Sequence, residues 1–329
     1  MIHHHHHHHR CHHHYHHHHR CHHHIIIIIK GRGQLLTIPY SHYVELGRWS
    51  LDYCDIPYDE HKYAPVQHVL PVLSLRLNDT KKPAFSNSSY VQSVDYRKKS
   101  NTLSYEELNN DKAKEKENTS RATAVPVLVL NDGTILTDSW SIAQYATEKS
   151  GKLVPINEDI KDLYDKEIGV LARQYAYHYI LKKDKINREV WQKLVFHNCG
   201  FFFKILWSCG LGRTVNNIME KIFKPNDVDA FQECKESLLL VLDRLDDRIL
   251  NKKTEFLSGN NIGVEDIAIA SLCGPLINPK FYCNGEYIVQ FDLLYEKDKE
   301  FKKEVDEFRL RPFGEYVLKI YKEYRQLNY

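Results

Sequence analysis

The stretch LLTIPYSHYVELGRWSLDYCDIPY, residues 35–58, turns an apolar strand into a helix within a few residues. Leu35, Leu36 and Ile38 lie in an apolar run that Pro39 closes. Proline has no backbone N–H to continue a ladder, so the strand ends there. After Ser41, Tyr43 or Val44, Gly47, Leu51 and Cys54 recur at helical spacing. IPYDEHKY, 56–63, resumes extended character. Strand, helix and strand in this order predict a βαβ unit with a loop at the C-terminal end of its first strand. Ser41 then stands at a helix N-terminus, where backbone N–H groups lack partners and partial positive charge gathers. Its hydroxyl can cap the helix or serve a bound anion, a thiolate included.

A second segment constrains the same layer. AVPVLVLNDGTILTDSWSIAQYATEKSGKLVP, 124–155, reads as a strand, an Asn-Asp-Gly turn, a second strand and a helix. Val127 to Leu130 pairs with Thr134 to Thr137 through a hairpin. Asp138 or Ser139 caps a helix through Lys149, and Gly151 stops it. Residues 151–158, with Pro155 inside, form a linker to a remainder that reads as helical from Asp159 onward. In DAFQECKESLLLVLDRLDDRIL, Phe231, Cys234, Leu238, Val241, Leu245 and Ile249 make one apolar stripe, as a bundle helix requires. GVEDIAIASLCGPLI, 263–277, is apolar on nearly all sides and belongs at the centre, with Asp266 at the third helical position as half of a capping box. FRLRPFGEYVLKIYKEYR, 308–325, restarts a helix after Pro312. Tyr175 and Tyr179, four apart on one helix, either line a pocket or pack in the core, and Phe201 to Phe203 are core or dimer surface.

Two segments stand apart. Histidine dominates residues 3–24, five isoleucines follow, and residues 1–33 read as a disordered extension with incidental metal affinity. Residues 78–121 are rich in Asn, Ser and Lys with few aliphatic side chains, so they read as a disordered insertion. The net charge of +2 over 329 residues gives no case for nucleic acid. No apolar run has the roughly 18 residues needed to span a bilayer, so no membrane partner is expected. Eight scattered cysteines without a CxxC pair or metal-ligand spacing suit a reducing, cytoplasmic location and no required metal.

Three stretches together resemble the cytosolic glutathione transferase family, in its bacterial-type, serine-type members: SHYVELGRWSLDYCDIPY, AVPVLVLNDGTILTDSWSIAQY and FLSGNNIGVEDIAIASLCGPLINP. FRLRPFGEYVLKIYKEYR adds to the likeness, which covers residues 35–329 apart from the insertion. The resemblance implies an α/β thioredoxin-like N-terminal domain, 34–150, that binds glutathione as co-substrate, followed by an all-α helical bundle domain, 159–329. It implies transfer of the glutathione thiolate to a hydrophobic electrophile, and a homodimer.

The site carries over residue by residue. Ser41 matches the catalytic serine position. Val125 precedes the position of the family's cis-proline, Pro126, and its backbone pairs with the cysteinyl part of glutathione. Asp138 and Ser139 match the pair that receives the γ-glutamyl end. Tyr40 is an alternative thiolate donor, and His42, where many members have proline, either competes for the thiolate or supports it. Ser41 and Val44 stand where a redox CxxC would have its cysteines, so disulfide reductase activity is not expected. Arg48 reads as a structural ion-pair residue. The alternatives are a binding or interaction module that keeps the fold without catalysis, and a metal-binding protein acting through its histidine-rich extension.

Overall fold

The computed structural model describes residues 32–77 and 124–325. The histidine-rich extension and the insertion lie outside the described residues. Strand β1 (Gly33–Thr37) is buried along its whole length because it has neighbours on both sides. β2 (Tyr58–Lys62) runs parallel to it, with Leu35 opposite Glu60. β3 (Val127–Val129) runs antiparallel, with Leu35 opposite Leu128, and β4 (Ile135–Leu136) closes the hairpin. Gly133 takes the positive φ of +84° that the turn requires.

Side-chain alternation sorts β1 between two cores. Leu35, with Leu128 and Leu136, faces helices α1 (His42–Tyr53) and α3 (Ser139–Ser150). Leu36, with Val127, Val129 and Ile135, faces Val72 on α2 (Val69–Leu77). Both faces are therefore covered, and β2, carrying Asp59, Glu60, His61 and Lys62, is the half-buried edge. This is the thioredoxin-like layer expected from the sequence, followed by helices.

After α3, Gly151 in the left-handed conformation ends the helix. The linker is pinned rather than loose: Val154 accepts from the Val264 N–H at 2.9 Å and donates to the Ile262 carbonyl at 3.3 Å. Helices α4 (Glu158–Asp162) and α5 (Gly169–Leu181) are joined by a π-helical turn over Leu163–Ile168. Then come α6 (Lys185–Phe196), α7 (Phe201–Leu206), a second π-helical turn at Trp207–Leu211, and α8 (Gly212–Phe223). The stripe predicted around Cys234 to Ile249 is the buried face of α9 (Val228–Leu250). The apolar α10 (Val264–Ile277) is the central helix and packs on α1. Asp266 caps it as expected, accepting from the Gly263 N–H at 2.9 Å. A short 3-10 turn at Tyr282–Gly285 precedes α11 (Ile288–Lys297), α12 (Lys299–Arg309) and α13 (Pro312–Tyr324), the last opened by its proline.

Candidate active site

Sheet register carries the proposed residues to one place. β1 and β3 pair Leu36 with Val127, and the same antiparallel register, continued, puts Ile38 opposite Val125. β3 and β4 pair Leu128 with Leu136, and continuation puts Pro126 opposite Asp138. Ser41, Val125, Pro126, Asp138 and Ser139 thus gather at one end of the sheet, where α1 and α3 both begin. Two helix N-termini pointing to one end of a sheet suit an anionic ligand. The Val125–Pro126 bond is cis. Pro126 lies against α1 at Gly47, where an added Cβ would sit 3.5 Å from the proline ring.

The two N-termini differ in what their first side chains do. Asp138 caps α3: its Oδ1 accepts from the Ser141 N–H at 2.9 Å, and the Ser141 hydroxyl donates to the Asp138 carbonyl at 2.9 Å. One carboxylate oxygen of Asp138 is therefore engaged by its own helix. Ser139 is buried in the first turn. Ser41 occupies the same place on α1, yet its side chain makes no cap hydrogen bond. Its backbone is fixed instead, with the N–H donating to the Ile38 carbonyl at 3.0 Å and the carbonyl accepting from the Glu45 N–H at 2.9 Å. Ser41 is half-buried, and its hydroxyl is not used in capping the helix.

A buried ion network holds this junction from beneath. Arg48, 1% exposed, pairs with Glu45 at 2.8 Å and Glu60 at 2.6 Å, and donates to the Pro39 carbonyl at 3.2 Å. Arg325, just past α13, pairs with Glu45 and Asp52, both at 2.9 Å. Arg48 is a structural ion-pair residue, as its sequence context suggests, and its reach to Pro39 ties α1 to the loop that bears Ser41. Arg325 carried no signal in the sequence.

His42 and Tyr40 turn toward the helical part of the chain. The His42 Nε2 lies 2.9 Å from the Gly169 carbonyl, so it carries the proton and donates. Burial, with help from the charge of Arg173, lowers its pKa to about 3 and keeps the ring neutral. The Tyr40 carbonyl accepts from the Tyr282 hydroxyl at 3.3 Å, and its ring lies 5.7 Å from that of Tyr287. Its own hydroxyl is buried without a hydrogen-bond partner among the described residues. Burial, then the neighbouring Tyr177, Tyr287 and Cys199, push its pKa well up, so it stays protonated. The Cys199 thiol, pushed up to about 12 mainly by burial, stays protonated too.

Of the two readings open for Tyr175 and Tyr179, core packing is the one the structure shows. Tyr175 and Tyr179 are core residues, wholly buried, and the Tyr175 hydroxyl donates to Glu304 at 2.6 Å. Tyr177, between them and on the other face of α5, is half-buried and stacks on Phe223 at 4.1 Å. Asp165, whose carbonyl accepts from the Tyr43 hydroxyl at 3.0 Å, is buried, and its carboxyl is raised to about 6, by burial first and with the Asp138 charge adding to the rise.

Comparison with solved structures places this architecture. A glutathione S-transferase of Ceriporiopsis subvermispora, solved in complex with glutathione, matches over 90% of this chain and 98% of its own, at 10% identity and a TM-score of 0.50. The glutathione transferase GSTFuA3 of Phanerochaete chrysosporium matches over 92% of this chain and 100% of its own, at 13% identity and a TM-score of 0.47. No protein-family model matches the sequence, and no curated protein matches it. The chain has the glutathione transferase fold.

Proposed function

We propose that the protein binds glutathione at this end of the sheet and transfers its thiolate to a hydrophobic electrophile. The observation that carries the reading is the Ser41 hydroxyl, which stands at a helix N-terminus without capping it. Val125 offers backbone to the cysteinyl part. The N-terminus of α3 takes the γ-glutamyl carboxylate through Ser139, and the remaining oxygen of Asp138 takes the ammonium. The fold's likeness to a transferase solved with glutathione supports the same assignment.

A free thiol has a pKa of about 8.5, so only a few per cent ionises at neutral pH. Lowering it by about two units, worth about 2.7 kcal/mol, makes most of the bound sulfur a thiolate. The N-terminal partial charge of α1 and one hydrogen bond donated by Ser41 favour that form. The thiol proton leaves to solvent, and the sulfur lone pair forms the new bond to an electrophilic carbon. Ser41 remains a donor throughout and needs no base. The half-buried Tyr177, stacked on Phe223 at 4.1 Å, offers an apolar surface for the electrophile. Tyr40 is the weaker candidate for the sulfur contact, because its hydroxyl is buried and burial holds it protonated.

Calorimetric titration of glutathione into wild type and Ser41→Ala, with thiolate absorbance followed against pH, tests the reading. Wild type is expected to bind and form thiolate near neutral pH. Ser41→Ala is expected to bind within a few-fold and to need a higher pH. Absence of binding to wild type overturns the assignment and leaves a fold that serves only interaction.

A further inference from the structure

Helices α7 and α8 carry a face that the fold leaves uncovered. Their inner side is filled: Phe203, Trp207 and Val215 are buried, and the Phe203 and Trp207 rings lie 5.8 Å apart. The Trp191 indole N–H donates to Asn216 at 2.9 Å, which fastens α8 to α6. Gly210, at φ +126°, breaks the helix, and Gly212 lets α8 begin against the Trp207 ring, where a Cβ would sit at 2.6 Å. The outer side carries large apolar groups among its polar ones. Phe201 and Phe202 are each 69% exposed, Leu206 is 58% exposed, and Ile205, Ile218 and Ile222 join them. On two successive helices this is a concentration of exposed apolar groups, not scatter.

Charge narrows what can cover it. Lys204, Arg213, Lys221 and Lys224 are exposed along the same two helices. The acid between them, Glu220, pairs with Lys183 at 3.3 Å. A second copy meeting this face through a two-fold axis would set these cations against themselves. Phenylalanine, isoleucine and leucine at the crest with lysine and arginine at the margins is the make-up of a helix that lies in a lipid–water interface. Among the described residues no helix is long and apolar enough to cross a membrane, and surface association needs none.

We propose that the α7–α8 face docks on the surface of an anionic lipid bilayer, the phenylalanines entering the interface and the cations meeting the headgroups. The proposal does not depend on the transferase reading.

The test is flotation of the full chain with vesicles of phosphatidylcholine alone or mixed with phosphatidylserine, at pH 8 so that exposed histidines are uncharged. Expected is binding to the phosphatidylserine vesicles that weakens as salt rises. Phe201→Ser with Phe202→Ser should lower that binding at least tenfold. Lys204→Glu with Lys221→Glu should lower it by a similar factor, since each cation near such a surface contributes roughly fivefold. Both pairs of positions are exposed, and an unchanged thermal midpoint will show that the fold is intact. Equal flotation of wild type and both variants overturns the proposal, as does absence of flotation. A shift from dimer to monomer in sedimentation for the phenylalanine variant, with wild type failing to float, overturns it in favour of a second copy.

Discussion

Two helices begin at the same end of one sheet, and they begin differently. At α3, Asp138 turns its side chain back onto the helix and satisfies the Ser141 N–H. At α1, Ser41 has an extended backbone suited to capping, with φ −76° and ψ 131°, and makes no such bond. A helix whose N-terminus lacks a side-chain cap must be held by something else. Here that is packing on α10 together with Arg48, which reaches the Pro39 carbonyl while pairing with Glu45 and Glu60. One start is locally self-sufficient, whereas the other is stabilised from elsewhere in the molecule, which frees its hydroxyl.

The largest expected effect comes from removing that support. Arg48→Met leaves Glu45 and Glu60 in the interior without this partner and should cost about 3–5 kcal/mol, read as a fall in the urea midpoint. A loss below about 1 kcal/mol would show that α1 does not depend on the network.

Acid should act next, and through α1. His42 has a pKa of about 3 in the folded protein against about 6.5 unfolded. Its contribution to stability is therefore complete above pH 6.5 and is lost as pH falls toward 3. Between pH 6.5 and 5 the loss is about 2 kcal/mol. Buried His178, lowered to about 4, adds in the same direction, while Asp165, raised to about 6, opposes it over pH 6 to 3.8. His42→Gln should flatten the urea-midpoint profile over this range. An unchanged profile would mean that His42 is solvated and not bonded to Gly169.

The smallest effects sharpen the comparison itself. Asp138→Ala removes a cap and should cost about 1 kcal/mol. Ser41→Ala removes none and should stay within about 0.5 kcal/mol of wild type, measured in parallel melts. Equal losses at the two positions would show that Ser41 caps α1 in solution after all.

Local physics made much of this legible in the sequence. The Asn-Asp-Gly turn set the hairpin, Asp138 and Gly151 marked the bounds of α3, and the Cys234–Ile249 spacing identified the inner face of α9. The same reasoning placed Ser41 at a helix start but left its hydroxyl undecided, because serine at such a position suits a cap and a ligand contact equally well. In YAYHY, 175–179, aromatic residues fall on both sides of α5. Helical rotation groups Tyr175 with Tyr179 and sets Tyr177 apart, yet periodicity does not say which side is inside. Arg325 was illegible for a different reason: its partner Glu45 lies 280 positions away, and an ion pair at that separation exists only once the whole chain has folded.

That separation bears on synthesis. The ribosome makes the Ser41 junction early and Arg325 near the end of the described chain, so α1 emerges with Glu45 facing only Arg48. An N-terminal layer assembled during translation therefore lacks its second arginine until α13 has been made and docked. Completion of the junction marks that the chain has been translated through its last described helix.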